Sequence, residues 1–263
     1  MKAYVINLDR NHERLQALKS QLDALGIPFE RCPAVDGKNF SDDDFQRLKT
    51  TRPKFREDWP RTKMACFLSH RAVWQKIAVS GDRHAAVFED DLHVADDLKG
   101  FIEKDSWIPD GIDIIRLEPS TNRVLLSVTP VVSWQGRQLH KVQSTSWCAG
   151  GYIIGREAAK RLIDLPEKDQ VGSADYTLFS YEDSIIAPKL NTLQVSPALC
   201  IQDKFYHRNT KNIVFQSEII IDDEGGSLKA RLKYAFKRSP ITYLRRSFQG
   251  YQRIHFEPGI LLR

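Results

Sequence analysis

The 263-residue chain lacks the long apolar runs, paired cysteines and internal repeats that mark several protein classes. No window approaches eighteen uninterrupted apolar residues, which argues against a membrane-spanning helix, and the apolar run at 3–6 is too short for a signal peptide. The four cysteines, at 32, 66, 148 and 200, form no CxxC pair, which argues against a zinc site. We therefore expect a cytoplasmic protein in a reducing environment.

The composition is that of a folded protein, because 41% of the residues are hydrophobic and 10% are aromatic. The stretch "AYVINL" predicts a buried strand, and Leu15, Leu18, Leu22 and Leu25 mark one face of a helix that Gly26 can end. "IPFERCPAVDG" then predicts a second strand. Strand, helix and strand at this spacing indicate an α/β fold with a largely parallel sheet.

The same pattern continues through the middle of the chain. A helix is predicted from Thr62, followed by strands at "HAAVFE" and "IDIIRLE" and by extended segments up to "GGYIIG". "REAAKRLIDL" and "SADYTLFSYEDSI" predict short helices, and "TLQVSPALCIQ" predicts one late strand. We expect one domain over residues 1–226.

Residues 227–263 differ in charge from the rest of the chain. They contain nine Lys or Arg and one acid, a net charge of +8, so −3 remains for the other residues of a chain whose total is +5. Their apolar residues recur at helical spacing between the basic ones, on either side of Pro240. We interpret this segment as a basic amphipathic C-terminal helical tail that binds an anionic membrane surface. The alternatives are a solvated helix packed on the body and, least favoured, a nucleic-acid-binding segment.

Three consecutive carboxylates follow the strand "HAAVF", namely Glu89, Asp90 and Asp91. Ligands of open α/β sheets bind beyond the carboxyl ends of the strands, where these residues are expected to lie. Adjacent acids repel one another unless a cation compensates them, and Mg²⁺ or Mn²⁺ prefers a few carboxylates together with substrate phosphates. The pattern predicts a metal site with Glu89 and Asp91 on one face; the alternative is an acidic turn that caps the next element.

Two further polar groups accompany the acids. Arg10 and Arg14 follow the first strand, where guanidinium groups are suited to phosphate, although an ordinary charged helix face has the same composition. Ser69 and His70 interrupt an otherwise apolar helical run, "ACFLSHRAVW". A histidine in such a run is either part of a polar site or a buried residue with satisfied hydrogen bonds.

The segments "ACFLSHRAVW", "VFEDD", "IIRLE", "AGGYIIGREA" and "SPALCIQ", in this order and spacing, resemble the glycosyltransferase 25 family. This family includes bacterial lipooligosaccharide galactosyltransferases and the sugar-transferring domains that modify collagen. The similarity extends from residue 1 to about residue 210, and the combination is more specific than any one segment.

The resemblance implies a GT-A-like nucleotide-sugar-binding domain, a UDP-hexose donor, Mn²⁺ or Mg²⁺ dependence and an inverting reaction. The family's acidic metal motif matches Glu89, Asp90 and Asp91. The implied donor-binding residues are Asn7, Leu8, Arg10, Asp36, Ser69, His70 and Arg116.

An inverting transfer requires a general base on the acceptor hydroxyl, and a carboxylate commonly serves. Asp175 in "SADYTLFS" is the favoured candidate, with Asp183 as the replacement if Asp175 only caps the helix that follows it. His207 is predicted to reach back as a further metal or diphosphate ligand.

The leading hypothesis is a metal-dependent enzyme that moves a hexose, galactose or else glucose, from a UDP-sugar to a lipid-linked oligosaccharide. The reaction is expected at the inner face of the plasma membrane, with the basic tail on the lipid and no nucleic-acid partner. One rival is a nucleotidyltransferase, which predicts a glycine-rich phosphate loop that the sequence lacks. The other is a non-catalytic membrane-binding module. The acceptor, the linkage and the oligomeric state stay open.

Overall fold

The computed structural model describes residues 1–43, 45–46, 60–165, 173–207 and 250–258. The helices are α1 (His12–Ala24), α2 (Arg61–Ala78), α3 (Lys99–Ile102), α4 (Arg156–Ile163), α5 (Ala174–Phe179) and α6 (Asp203–Tyr206). The strands are β1 (Lys2–Asn7), β2 (Glu30–Pro33), β3 (His84–Glu89), β4 (Leu92–Val94), β5 (Ile114–Arg116), β6 (Val124–Leu125), β7 (Val132–Trp134), β8 (Arg137–Lys141), β9 (Gly151–Gly155), β10 (Thr192–Ser196), β11 (Cys200–Gln202) and β12 (Tyr251–Gln252).

Eight strands form one sheet in the order β2-β1-β3-β9-β5-β10-β8-β7. The pairs β1–β2, β1–β3 and β5–β10 are parallel, while β9 runs antiparallel to both of its neighbours. Six of the eight strands consequently run in one direction, and β8 and β9 run in the other. The predicted α/β class with a mostly parallel, mixed sheet is confirmed.

Both faces of the sheet are covered, which explains the continuous apolar run of β1. Ala3 and Val5 join a core that contains Leu18 and Leu22 of α1. The alternate residues, Tyr4 and Ile6, join a second core with Phe67, Trp74 and Ile77 of α2 and with Leu162 of α4. Successive side chains of a strand point to opposite faces, so a strand buried on both sides is apolar at every position.

Two predicted elements differ from the observed ones. "TLQVSPALCIQ" forms two strands, β10 and β11, because Pro197 has no N–H for a sheet ladder. "SADYTLFSYEDSI" is helical only over Ala174–Phe179, after which the chain turns. α1 ends as expected, with Gly26 in the left-handed region at φ +64°.

Residues 250–258 pack against the body of the protein. β12 pairs with β6, the Ala198 N–H donates to His255 O at 2.7 Å, and the side chain of Ile254 is 4% exposed. The remainder of the predicted basic tail, 227–249 and 259–263, lies outside the described residues, and the 226/227 domain boundary stays a prediction. Within the described part of the chain, no helix is long and apolar enough to cross a membrane.

Arg137 joins this C-terminal segment to the sheet. Its side chain is fully buried, and its five N–H groups all have acceptors. Nε and Nη2 bind the two carboxylate oxygens of Asp97 at 2.7 and 2.6 Å. The remaining N–H groups donate to the carbonyls of Pro197, Ala198 and Glu257, each at 3.0 Å.

We expect Arg137→Ala to lower the free energy of unfolding by about 3–5 kcal/mol, the usual effect of removing one partner of a buried ion pair. Urea unfolding of the purified variant measures this change. Lys76→Ala is the control, because the ion pair of Lys76 with Glu30 is on the surface and contributes about 1 kcal/mol or less. Equal losses in the two variants would contradict a structural role for Arg137.

Candidate active site

A cleft opens at the carboxyl ends of β1 and β3, between α2 and α5. Of the residues predicted from the sequence, the following line it: Asn7, Leu8, Arg10, Asp36, Ser69, His70, Glu89, Asp90, Asp91 and Asp175. Three others do not line it: Arg116, Asp183 and His207. The parallel pairing of β1 with β3 explains the gathering, because it places Ile6 opposite Glu89 and so brings the two strand ends together.

Glu89 is held by three donors, two from α2 and one from β11. His70 Nε2 lies 3.1 Å from Glu89 Oε1, Gln202 Nε2 donates to Oε2 at 3.3 Å, and the Cys66 thiol lies 3.6 Å from Oε1. Burial acts to raise the pKa of Glu89, but the hydrogen bond of His70, the positive charge of Lys204 and the hydrogen bond of Cys66 are among the interactions that outweigh it, and the pKa is lowered. Glu89 is therefore ionised at neutral pH.

Asp90 is bound to the start of the chain. Asn7 Nδ2 donates to its Oδ2 at 2.7 Å, and Arg14 Nη1 donates to its Oδ1 at 3.3 Å. Burial raises the pKa of Asp90 in spite of these two donors. Both of its oxygens are engaged by the protein.

Asp91 differs from its two neighbours. Its Oδ1 is buried and has no hydrogen-bond partner among the described residues. Burial, followed by the charge of Glu89, raises the pKa of Asp91 to about 7. A buried carboxylate oxygen without a donor destabilises the ionised form, so Oδ1 is suited to a cation from outside the chain.

A second unpartnered acceptor lies beside Asp91. Gln202 Oε1 is buried with no hydrogen-bond partner among the described residues, and Gln202 also lines the cleft. Gln202 pairs with Leu92, and the next residue, Asp203, donates its N–H to Asp91 O at 2.8 Å. Carboxylate and amide oxygens are the ligands that hard divalent cations prefer.

The opposite wall of the cleft is formed by the loop after β2. Arg10 forms an ion pair with Asp36, whose Oδ1 also accepts the Lys38 N–H at 3.0 Å. Gly37 lies against the start of α2, where an added Cβ would come within 2.9 Å of Arg61 O. Ser69 holds the loop by accepting the Val35 N–H at 2.9 Å, so its hydroxyl is used for structure.

Asp175 lies in the first turn of α5 and faces the cleft. Its Oδ1 accepts the Tyr176 N–H at 2.9 Å and the Ser173 hydroxyl, whereas its Oδ2 has only a long contact, 3.4 Å from Cys148 N. The N-cap of α5 is Ser173. Asp175 thus supports the helix start with one oxygen and presents the other to the cleft.

Arg116 is buried behind the cleft wall, with 1% of its surface exposed. It donates to Gln194 Oε1 at 3.1 Å and to the carbonyls of Trp147 and Cys148 at 2.8 and 3.0 Å. Its guanidinium also stacks 4.1 Å from the centre of the Phe179 ring. Since Cys148 lines the cleft with a φ of +76°, Arg116 shapes the wall from behind.

His207 and Asp183 lie elsewhere. His207 is grouped with His93 and Asp203, and both imidazoles have Nε2 near Asp203 Oδ1, at 3.5 and 2.7 Å. These three side chains are close enough to hold one metal ion, but they are not among the cleft-lining residues. Asp183 is exposed, and its carbonyl accepts the Tyr176 hydroxyl at 2.8 Å.

The sequence analysis did not single out several residues of the site. Lys63, Cys66, Cys148 and Gln202 line the cleft. A lysine near a helix start and a glutamine ending a strand are common on any surface, so their composition alone carries no signal. Only the folded chain brings them to the acids.

Glu118 is another such residue, a buried carboxylate that accepts the N–H groups of Gly150 and Gly151. Burial raises its pKa to about 8, so the folded protein keeps a proton that the unfolded chain releases above its usual pKa of 4.5. Stability is therefore expected to fall as pH rises from about 4.5 to 8, by at most about 1.4 kcal/mol per pH unit for this group.

The variant Glu118→Gln removes this proton exchange and retains an oxygen for the two glycine N–H groups. We expect the metal-free variant to lose less stability than the wild type between pH 5 and pH 8. Urea unfolding at four pH values across this range measures the difference. Parallel curves for the two proteins would contradict the raised pKa.

Comparison with known proteins agrees with this architecture. The family model "Glycosyltransferase family 25 (LPS biosynthesis protein)" matches residues 1–177. The lacto-N-neotetraose biosynthesis glycosyltransferase LgtE of Neisseria meningitidis is 27% identical over 237 residues, which cover 85% of this chain and 82% of that protein. The lipooligosaccharide biosynthesis protein lic2B of Haemophilus influenzae is 26% identical over 222 residues, 79% of each chain.

The protein is therefore a glycosyltransferase. Within that class, the chain belongs to glycosyltransferase family 25, since the family model spans more than half of its length. Among solved structures, a Drosophila beta-1,4-galactosyltransferase 7 in complex with manganese, UDP-Gal and xylobiose overlaps 61% of this chain and 51% of its own, at 13% identity and a TM-score of 0.29. A glycosyltransferase involved in glycosylation of the major capsid of PBCV-1 overlaps 77% and 92%, at 10% identity and a TM-score of 0.38.

Proposed function

We propose that this glycosyltransferase moves a hexose, galactose in preference to glucose, from a UDP-sugar to a saccharide of lipooligosaccharide, with inversion and with the help of a divalent cation. The observation that carries the proposal is Asp91 in the cleft, whose carboxylate atom Oδ1 is buried and has no hydrogen-bond partner among the described residues. The name of the Haemophilus relative, a lipooligosaccharide biosynthesis protein, and the family description, an LPS biosynthesis protein, support lipooligosaccharide as the acceptor class.

Asp91 and Gln202 fit a hard divalent cation. Each offers a buried oxygen without a hydrogen-bond partner among the described residues, and the ionised Glu89 adds negative charge beside them. Mn²⁺ or Mg²⁺ in this place would supply positive charge to the diphosphate that departs from the sugar. A bound cation would also offset the burial that raises the pKa of Asp91, because it would favour the ionised carboxylate.

The donor nucleotide is assigned to the β1 side of the cleft. Arg10 and Asp36 form one wall there, and Asp36 is the group suited to ribose or base hydroxyls and N–H groups. Arg14, Lys63 and Lys204 line the cleft as well and supply positive charge for phosphate oxygens. Asn7 and Leu8 form the floor at the end of β1.

Asp175 is assigned as the general base. It lines the same cleft as the acid cluster, and its Oδ2 is the carboxylate oxygen with only one long hydrogen bond. In this role it takes the proton of the acceptor hydroxyl as that hydroxyl attacks the sugar carbon. Asp183, the alternative base, is exposed and does not line the cleft.

We also propose that the enzyme works at the inner face of the plasma membrane, with its basic segment on anionic lipid. The charge pattern of residues 227–249 supports this part, because basic and apolar residues alternate there at helical spacing. A lipid-linked acceptor would then reach the cleft from the membrane surface.

A donor panel tests the proposal directly. UDP release and transfer to a lipooligosaccharide acceptor are measured for UDP-galactose, UDP-glucose and other UDP-sugars, with Mn²⁺, with Mg²⁺ and with EDTA. We expect turnover with UDP-galactose that EDTA abolishes and Mn²⁺ restores. No turnover with any UDP-sugar, together with no cation-dependent UDP binding, would overturn the assignment.

A further inference from the structure

The cleft wall behind Glu89 contains a row of buried polar side chains. Trp74, Tyr152 and His70 are each fully buried, and they connect in sequence to the carboxylate. Trp74 Nε1 lies 2.8 Å from the Tyr152 hydroxyl, which lies 2.9 Å from His70 Nδ1, and His70 Nε2 lies 3.1 Å from Glu89 Oε1.

For an imidazole with a single proton, the donors and acceptors along this row determine the direction of every bond. An indole N–H only donates, so the Tyr152 oxygen accepts from Trp74. Burial raises the pKa of Tyr152 well above its usual range, so the phenol keeps its single proton, and His70 Nδ1 is the acceptor within reach. The proton of the neutral imidazole is then on Nε2, where Glu89 accepts it.

We propose that Trp74, Tyr152 and His70 form a one-directional donor chain that fixes the Nε2–H tautomer of His70 and thereby positions Glu89 for the cation beside it. The proposal rests on the proposed cation-dependent transfer. His70 and Tyr152 are positioning residues in this scheme, since they act on the reaction only through Glu89.

The donor chain also bears on whether Cys66 is a metal ligand or a hydrogen-bond donor to Glu89. The thiol of Cys66, His70 Nε2 and Glu89 Oε1 lie within 4.8 Å of one another, as the ligands of one metal ion would. A protonated Nε2 has no lone pair for a metal, so the chain from Tyr152 blocks that use. A divalent cation in the cleft would then be held by the oxygens of Asp91 and Gln202.

Histidine ¹⁵N NMR on the metal-free full-length protein tests the tautomer without any turnover. The His70 signals are assigned by their loss in His70→Gln. We expect an unprotonated Nδ1 and a protonated Nε2 in the wild type, and a changed pattern in Tyr152→Phe. Tyr4→Phe is the matched control, because Tyr4 is buried in the same core and its hydroxyl takes no part in the chain. A proton on Nδ1 in the wild type would overturn the inference.

Cation affinity and kinetics test the positioning role. His70→Ala is expected to weaken Mn²⁺ binding, measured by EPR of free Mn²⁺, by about 10–100-fold, the usual effect of losing an outer partner of a metal site. His70→Gln keeps an N–H near the position of Nε2 and is expected to recover most of the affinity. Equal losses in the Gln and Ala variants would overturn the proposal.

The two proposals fail in different ways. If the wild type turns over no UDP-sugar, the proposed function fails while the NMR result still stands. If the wild type transfers sugar but Tyr152→Phe and Tyr4→Phe have the same tautomer pattern and the same Mn²⁺ concentration for half-maximal rate, the donor chain fails alone.

Discussion

Asp91→Asn is expected to lower cation-dependent transfer by about 10²–10⁴-fold, because a cation on the leaving diphosphate contributes several kcal/mol to the transition state. Asn keeps the shape of the side chain and removes the negative charge that would hold the cation. The loss should be accompanied by loss of cation-dependent UDP binding, measured by calorimetry with and without Mn²⁺.

The same substitution should raise the stability of the metal-free protein at pH 8. Burial holds the pKa of Asp91 at about 7, so the folded wild type must release a proton from a buried carboxyl as the pH rises through 7. Asn has no such proton. An activity loss accompanied by a stability gain distinguishes a functional carboxylate from a structural one.

Asp110→Asn is the matched control for both measurements. The side chain of Asp110 is almost fully exposed and pairs with Arg83 at the surface, so its charge is screened by water. It should change neither transfer nor stability appreciably. Full activity in Asp91→Asn would refute the cation site.

Asp175→Asn is expected to lower the turnover number by about 10²–10⁴-fold, the usual contribution of a positioned base. Asn still accepts the Tyr176 N–H through its amide oxygen, so the start of α5 should be preserved. UDP and Mn²⁺ binding should be unchanged, because Asp175 lies on the acceptor side in the proposed mechanism. Single-turnover transfer and UDP calorimetry on the same variant measure the two quantities.

Asp183→Asn provides the comparison, since Asp183 was the alternative base in the sequence and is exposed in the structure. We expect it to retain nearly wild-type transfer. If Asp183→Asn loses transfer and Asp175→Asn does not, the base assignment is reversed and Asp175 is only a helix-capping residue.

The α/β class could be predicted from local patterns because β1, α1 and β3 carry their periodicity in consecutive residues. The antiparallel direction of β9 could not be predicted, since the composition of "GGYIIG" suits a parallel and an antiparallel strand equally. The position of β9 depends on close packing against β11, because a Cβ on Gly151 would collide with Cys200 Sγ, 49 positions later in the sequence. Contacts between segments so far apart leave no local signal.

The candidate site shows the same division. The acids at 89–91 were recognisable because three carboxylates after an apolar strand are unusual in themselves. The different hydrogen bonding of the three acids was not recognisable, because it depends on donors from other elements. Asn7 and Arg14 bind Asp90, and His70 binds Glu89. Asp91 Oδ1 has no hydrogen-bond partner among the described residues. The separation of His207 from the cleft likewise depends on where α6 lies.

The attachment of residues 250–258 has a consequence for the order in which the protein is made. Arg123 binds Tyr251 O across 128 positions of sequence, and Arg137 binds Glu257 O across 120. The edge strand β6 and the buried guanidinium of Arg137 therefore stay without these partners until the ribosome has passed residue 257. The basic segment before residue 250 is therefore synthesised before β12 exists to pair with β6. A shorter product that ends within that segment would lack the contacts of Arg123 with Tyr251 and of Arg137 with Glu257. These contacts therefore form only in a chain that already contains the whole of residues 227–249.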